Sequence, residues 1–400
     1  HGASGGAVRA APVSFGLSRG GGGCAGLARS GRIARVRHDV ASPVARAAGI
    51  ILGILAAAAS ASLGEEPIPR WGGGTTSNMV SSARGLPEDL DGVRPLWDLR
   101  LGSHQYTIPT VDRGRIYLGT DDVGLERPGL KPTGGGVLSC VDQATGKLIW
   151  RFWSPRYVEG VIDPHHFDQW RCGICSGPVV DGDRVYVVGN RGEILCLDRE
   201  GQANGNDGPF LDELAYMRVR DADLGPGDGD LVWRYDMLTE LGVIGHDVCG
   251  STILVLGDLL YACTSNGIDG RHREVPRPDV PSLIVLDKRT GRLVAADGER
   301  IGRRMLHAGW SSPCAGSSGG RMRVFLGGAD GVLYAFEPAD PTAAGVQTLR
   351  RLWARDANAP EYRERDGKPL PYSRHDRPTP DGPSEIIGSP VFHEGRAWVT

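Results

Sequence analysis

The 400 residues include 60 glycines and 27 prolines, a turn-rich composition that argues against a helical bundle and against a coiled coil. Hydrophobic residues make up 40% of the chain, which is enough for a packed core, and the formal net charge of -3 excludes a basic field for nucleic acid. No apolar run approaches the roughly 18 residues that a bilayer-spanning helix needs, so no transmembrane span is predicted.

The first predicted element is an export signal. Arginines recur between Arg29 and Arg46, an apolar stretch runs from Ala47 to Ala59, and small residues suited to cleavage close it at Ala59-Ser60-Ala61. This order predicts a signal peptide at 46–62 behind a low-complexity extension at 1–45, with a buried helix as the alternative. The rest of the chain, from residue 63 to 400, is then expected to be periplasmic or secreted.

Beyond the signal, one hairpin pattern occurs five times. Each copy reads as a strand, a short turn rich in Gly and Asp, and a second strand that ends on an aromatic residue. The copies begin at Pro109, Pro178, Thr252, Pro313 and Pro390. Such self-similarity indicates a repeat architecture rather than a set of unrelated domains.

Further strands follow the hairpins and complete each repeat. A third strand ends on a carboxylate in four copies, at Val137–Asp142, Glu193–Asp198, Ser282–Asp287 and Val332–Glu337. A fourth strand begins next and carries Trp150, Trp233 and Trp353 in three of the repeats. Four antiparallel strands per repeat form one propeller blade, so the predicted fold is an all-β propeller with four blades and part of a fifth. We expect seven or eight blades in the complete ring, with Trp97 in the strand that closes it.

One turn of the first repeat carries a family resemblance. The run Asp142-Gln-Ala-Thr-Gly-Lys-Leu-Ile-Trp150 resembles the tryptophan-docking motif of the quinoprotein-like, PQQ-repeat propellers, with Cys140 in place of the usual alanine. The resemblance extends over residues 71–400, with Ala295 replacing the tryptophan in the third repeat, and includes exported PQQ-binding-like repeat proteins. It implies that each tryptophan covers the neighbouring blade and that the Thr-Gly turn receives it.

Candidate binding residues come from the loops that precede the first strands. In a propeller these loops surround one mouth of the central channel. Counting back five or six residues from the hairpin starts gives His104, Cys172, His246, His307 and Glu385. Imidazoles with a thiol or a carboxylate can hold a transition metal or an anionic ligand. Alternatively, each histidine satisfies backbone groups of its own loop.

The pair Cys172-Gly-Ile-Cys175 has several possible interpretations. Haem attachment is excluded because Ser176, not His, follows the second cysteine. A zinc site would need His165 and His166, and a redox pair normally starts a helix, whereas this pair precedes a strand. We therefore expect a local disulfide or two buried thiols.

Two long insertions lie between strands, at Gly201–Asp230 and Gly270–Pro281. The first contains several aspartates without the spacing of an EF-hand, so a solvated loop is predicted rather than a calcium site. The second is basic and rich in proline. Long loops on one rim are common places for binding, but neither insertion identifies a ligand.

Two main functions fit these features. The first is an exported binding or scaffold module without chemistry of its own, which takes a protein partner or a small ligand at the channel mouth. The alternative, implied by the resemblance, is a dehydrogenase that oxidises an alcohol or sugar with pyrroloquinoline quinone (PQQ) and calcium, with Trp310 as the floor of the cofactor site. A hydrolase or lyase that uses the histidines is a third possibility. No catalytic residue is assigned, and the candidate cofactor-binding residues are His104, His246, His307, Trp310 and Glu385.

Overall fold

The computed structural model describes residues 68–156, 170–247, 249–372 and 382–400. The predicted extension at 1–45 and signal peptide at 46–62 lie outside the described residues, as do His165 and His166. Over these described ranges, no helix has the length and apolar character needed to cross a membrane.

Four antiparallel sheets account for most of the strands in the described ranges, and strands that are neighbours in a sheet follow one another in the chain, except that one short strand of sheet 3 interrupts sheet 4. Sheet 1 contains β1 (Thr110–Asp112), β2 (Arg115–Asp121), β3 (Gly136–Asp142) and β4 (Leu148–Ser154), and sheet 2 contains β5 (Val179–Asp181), β6 (Arg184–Val188), β7 (Glu193–Asp198) and β8 (Leu231–Asp236). Sheet 3 contains β9 (Leu254–Leu256), β10 (Leu259–Cys263), β11 (Leu283–Asp287) and β12 (Leu293–Ala296). Sheet 4 contains β13 (Cys314–Ser318), β14 (Arg321–Gly327), β15 (Val332–Phe336) and β17 (Arg351–Asp356).

The remaining elements are short. Strand β16 (Gln347–Thr348) adds to sheet 3 in parallel with β12, β18 (Glu364–Arg365) pairs with β19 (Lys368–Pro369), and β20 (Val391–His393) pairs with β21 (Arg396–Trp398) as the fifth hairpin. Helices α1 (Glu213–Met217), α2 (Met237–Leu241) and α3 (Pro360–Arg363) and 3₁₀ turns at Gly201–Asn204 and Ile301–Arg303 lie in the connections. The predicted β-propeller fold of four-stranded antiparallel blades is confirmed.

A row of three residues at equivalent positions crosses each four-stranded sheet, one residue from each of the second, third and fourth strands. In sheet 1, Tyr117 of β2 lies opposite Cys140 of β3, which lies opposite Trp150 of β4. The matching rows are Tyr186, Cys196 and Trp233 in sheet 2, Tyr261, Val285 and Ala295 in sheet 3, and Phe325, Ala335 and Trp353 in sheet 4. In sheets 1, 2 and 4 a small residue in the centre lets the two aromatic rings approach, and Tyr117 and Trp150 have ring centroids 6.0 Å apart.

Side chains alternate between the two faces of each sheet, and both faces are buried. In sheet 2, Val185 and Val187 belong to the core shared with sheet 1, whereas Tyr186 and Val188 belong to the core shared with sheet 3. This is the two-residue period of a strand buried on both sides. Each sheet therefore depends on its neighbours for its core.

The tryptophans of the fourth strands dock on the next sheet. The Trp150 Nε1 donates to the carbonyl of Arg199 at 2.9 Å, and the Trp233 Nε1 donates to the carbonyl of Lys288 at 3.3 Å. Trp97 behaves in the same way, donating to the carbonyl of Gln143 at 2.8 Å while its ring lies against Gly146. Tryptophan docking thus joins sheet 1 to sheet 2 and sheet 2 to sheet 3.

The first strands of the five hairpins lie side by side, in the order β1, β5, β9, β13 and β20. Residues 68–77, named here the hub segment, cross all of them. Its backbone bonds to Val111, Val180, Ala315 and Phe392 at 2.8–3.2 Å. Arg70 is 3% exposed and donates to the carbonyls of Ile253 and Pro313, which ties the segment to sheets 3 and 4. The sequence prediction contained no such segment.

The insertion Gly201–Asp230 differs from its prediction as a solvated loop. Helix α1 inserts Tyr216 and Met217 into the core between sheets 1 and 2. The Tyr216 hydroxyl donates to Glu193 at 2.6 Å, and Arg127 forms an ion pair with Asp228 at 2.6 Å. Most of the insertion is exposed or half-buried, as predicted, but the sequence contained no sign that α1 packs into the core.

Candidate functional site at the channel mouth

The loops that precede the five first strands line one cavity of about 330 Å³. Each of the five hairpins contributes residues that lie at its start or within the three positions before it. The lining residues are Trp71, Tyr106, Ile108, Cys175, Gly177, Gly250, Thr252, Trp310, Ser312, Ile387, Gly388 and Ser389. We call this space the mouth cavity.

Three imidazoles form a cluster beside Trp310. The Nε2 atoms of His246 and His307 are 3.1 Å apart, and the ring of His272 lies 4.8 Å from that of His246 and 4.9 Å from that of His307. One ligand atom from each of these three residues lies within 4.8 Å of the other two. The ring of His307 meets the Trp310 ring edge-on at 4.8 Å. We call His246, His272 and His307 the imidazole cluster.

The outward nitrogens of two cluster members face acceptors. The Nδ1 of His246 lies 2.7 Å from the carbonyl oxygen of Ile268. A carbonyl only accepts, so the His246 Nδ1 carries the proton and its Nε2 presents a lone pair to His307. The Nδ1 of His307 lies 3.5 Å from a carboxylate oxygen of Glu385. The two inward nitrogens therefore point at one another.

The charges around the cluster follow from burial and neighbours. Burial lowers the pKa of His246 to about 4 against the opposing effect of Asp247, and the nearby His307 adds to the lowering. Burial works against ionisation of Glu385, but hydrogen bonds with His307 and Tyr372 outweigh it and lower the pKa of this carboxyl. His246 is thus neutral and Glu385 is negative at pH 7.

The structure brings together four of the candidates predicted from the sequence, His246, His307, Trp310 and Glu385. It places His104 elsewhere: the Nδ1 of His104 lies 3.0 Å from Asp121 at the end of β2, and its side chain is 47% exposed. Cys172 is buried in the same loop as Cys175, whose Sγ lies 3.6 Å from the Cys172 carbonyl oxygen. Cys172 therefore belongs to the packing of its own loop, whereas Cys175 also lines the mouth cavity.

Sequence reasoning missed His272 as a member of the cluster. It lies in the basic insertion Gly270–Pro281, after the second strand of its repeat, so counting back from hairpin starts does not reach it. A tight turn directs it to the mouth: His272 has a φ of +54°, and its N–H donates to the Asp269 carbonyl at 2.8 Å. The only sequence signal is a lone histidine among arginines.

PQQ with calcium is the cofactor that the resemblance implies, and the groups around Trp310 do not fit it. Calcium takes about 6–8 oxygen ligands. Within the described part of the chain, the rings of His246 and His307 stand at 6.1 and 4.8 Å from Trp310, where a stacked planar cofactor would need space. The nearby carboxylate of Glu385 is engaged with His307 and Tyr372. Nitrogen donors dominate this site.

Repeated four-stranded sheets whose first strands share one cavity define a β-propeller. Residues 134–204, which run from β3 through the 3₁₀ turn at Gly201–Asn204, match a family model described as outer membrane protein assembly factor BamB. This match and the fold are consistent with the resemblance to the quinoprotein-like, PQQ-repeat β-propellers. None of the curated proteins matches the sequence.

Several solved structures are similar at low identity. Quinohemoprotein alcohol dehydrogenase from Comamonas testosteroni is 14% identical over 84% of this chain and 45% of its own, with a TM-score of 0.45. BamB from Moraxella catarrhalis is 14% identical over 62% and 50%, with a TM-score of 0.31, and a europium-containing methanol dehydrogenase is 12% identical over 76% and 48%, with a TM-score of 0.40. The chain spans about half the length of these proteins, and similarity at this level carries no argument about function.

Proposed function

We propose that this chain is an exported binding module, which takes a small ligand or a side chain of a protein partner in the mouth cavity. The observation that supports this proposal is the convergence of loops from all five hairpins on one space of about 330 Å³. That volume lies at the lower end of ligand pockets, about 300–1,000 Å³. Trp71, Tyr106 and Trp310 supply aromatic surface, and Thr252 and Ser312 supply hydroxyl groups.

The architecture favours binding over chemistry at this place. Aromatic side chains give large contact areas with little loss of conformational entropy, as in other recognition surfaces. The sheets hold the loops through shared cores, so the cavity walls are fixed before a ligand arrives. Glu385, a carboxylate beside the cluster, is already bonded to His307 and Tyr372, which opposes its use as a free base.

The alternative is a dehydrogenase with PQQ and calcium, and one experiment separates the two functions. The purified chain is mixed with PQQ and Ca²⁺, dialysed, and assayed for dye-linked oxidation of alcohols and sugars. We expect no retained cofactor and no turnover above a protein-free control. Tight uptake together with turnover would favour the dehydrogenase.

Binding itself is tested with a photo-crosslinking amino acid at the cavity. Position 387 is suitable because Ile387 lines the cavity and is 55% exposed, and position 211 is a matched control because Leu211 is 65% exposed and is not among the cavity-lining residues. Cells that export the protein are irradiated, and adducts are identified by mass spectrometry. We expect a discrete adduct from position 387 only. The same adducts from both positions, or none from position 387, would contradict the proposal.

A further inference from the structure

The imidazole cluster raises a problem of proton placement. Because the Nδ1 of His246 donates to the carbonyl of Ile268, the Nε2 of His246 holds a lone pair. The Nδ1 of His307 faces the carboxylate of Glu385, which favours the proton on that nitrogen and a second lone pair on its Nε2. Two lone pairs at 3.1 Å repel each other unless a proton or a cation lies between them.

We propose that His246, His272 and His307 bind a divalent transition metal ion of the zinc type at the channel mouth. Two nitrogens on a tetrahedral zinc ion with bonds of about 2.0–2.1 Å are about 3.3 Å apart, close to the distance between the two Nε2 atoms. The widest separation in the trio is 4.8 Å, so the third nitrogen closes the set with a shift of about 1.5 Å toward that tetrahedral spacing. His272 lies on a loop and can make this shift.

The surroundings supply what a metal site needs beyond its nitrogens. A backbone carbonyl behind His246 and a carboxylate behind His307 are the outer partners that orient metal-binding imidazoles. Asp247 places a carboxylate oxygen 3.5 Å from the Nε2 of His246, where it can serve as the fourth ligand. Asp247 holds a φ of +58°, an uncommon conformation for a residue other than glycine.

The charges and ligand types around the cluster favour a divalent metal ion rather than a proton shared between the rings. The Ile268 carbonyl holds the proton of His246 on Nδ1, so the Nε2 offers its lone pair without a change of tautomer. Asp247 and Glu385 add two carboxylates next to the three rings. Imidazole ligands suit zinc, copper and nickel better than calcium. The same three imidazoles therefore favour a transition metal ion and disfavour calcium.

The test uses the full purified chain, stripped with chelator and titrated with Zn²⁺ by calorimetry. His104→Ala is the matched control, since His104 is a half-exposed histidine paired with Asp121 outside the cluster. We expect one Zn²⁺ per chain in the wild type and in this control. His272→Ala, which changes a loop residue and leaves the buried pair intact, should weaken binding more than Glu385→Gln, for which the loss of an outer partner predicts about 10–100-fold.

Co²⁺ provides a readout of geometry that does not depend on affinity. We expect the visible absorption of tetrahedral Co²⁺ in the wild type and the His104→Ala protein, and loss of that band in His246→Ala and His307→Ala. Circular dichroism checks that each variant is folded. If His246→Ala or His307→Ala does not fold, the Co²⁺ spectrum of His272→Ala is used instead. Equal Zn²⁺ affinity of His272→Ala and His104→Ala, or an octahedral Co²⁺ spectrum, would overturn the proposal.

Discussion

Docking of Trp233 on the turn of sheet 3 can be measured by adding one methyl group to that turn. Gly291 has a φ of +71°, and a Cβ at this position would lie 2.5 Å from Cε3 of Trp233. Gly291→Ala therefore carries two costs. A left-handed conformation costs a residue other than glycine about 1–2 kcal/mol, and forcing a methyl into a filled space costs about 1–3 kcal/mol more.

The same sheet contains a control that separates these costs. Gly257 has a φ of +62°, but a Cβ there would meet nothing within 4 Å, so Gly257→Ala carries only the backbone cost. We expect the free energy of unfolding in urea to fall by about 1–3 kcal/mol more for Gly291→Ala than for Gly257→Ala. In a Trp233→Leu background this excess should shrink. Equal losses for the two alanine variants would refute the docking argument.

Three further predictions concern buried polar groups. Burial and the charge of Glu213 raise the pKa of Asp230 from 3.8 to about 7. As pH rises, the unfolded chain loses this proton at a lower pH than the folded chain, so the free energy of unfolding falls between about pH 4 and pH 7. Asp230→Asn should therefore unfold at a higher temperature than the wild type at pH 8, with the gap closing toward pH 4. Arg70→Gln should lower the urea midpoint, because the carbonyls of Ile253 and Pro313 lose buried donors worth about 1–3 kcal/mol each. Iodoacetamide at pH 8 should modify the folded protein far more slowly than the urea-unfolded protein, because burial raises three thiol pKa values to about 12, those of Cys140, Cys263 and Cys314.

The sheets could be predicted from the sequence because their residues obey local rules that repeat. In sheets 1, 2 and 4, the structure places the aromatic of the second strand, the small residue of the third and the tryptophan of the fourth in one row. The turn after Asp142 also behaves as its residues require, with Thr145 N–H donating to the Asp142 carboxylate at 2.8 Å. Because the repeats share this pattern, one repeat that is recognised in the sequence allows the strands of the other repeats to be predicted.

The mouth could be predicted only in part, because its residues reach it by different routes. His246, His307 and Glu385 all lie five or six residues before a hairpin start, and they meet at the mouth. His272 enters from a loop after a second strand, where no periodicity constrains its direction. His104 has the right offset, but Asp121 at the end of β2 is a nearer partner for it. A local acceptor decides the direction of a half-exposed side chain, and spacing alone does not reveal it.

The hub segment gives the mouth a physical connection to the sheets. Residues 68–77 bond to the first strands of sheets 1, 2 and 4 and of the fifth hairpin, and Arg70 reaches the carbonyls before β9 and β13. Trp71 of the same segment lines the mouth cavity. One stretch of chain thus fixes the innermost strands and contributes to the binding surface, whereas His272 lies on the loop Gly270–Pro281. A metal ion at the imidazole cluster would contact the loop Gly270–Pro281 through His272, so we expect changes in this loop to alter metal selectivity while the sheets stay unchanged.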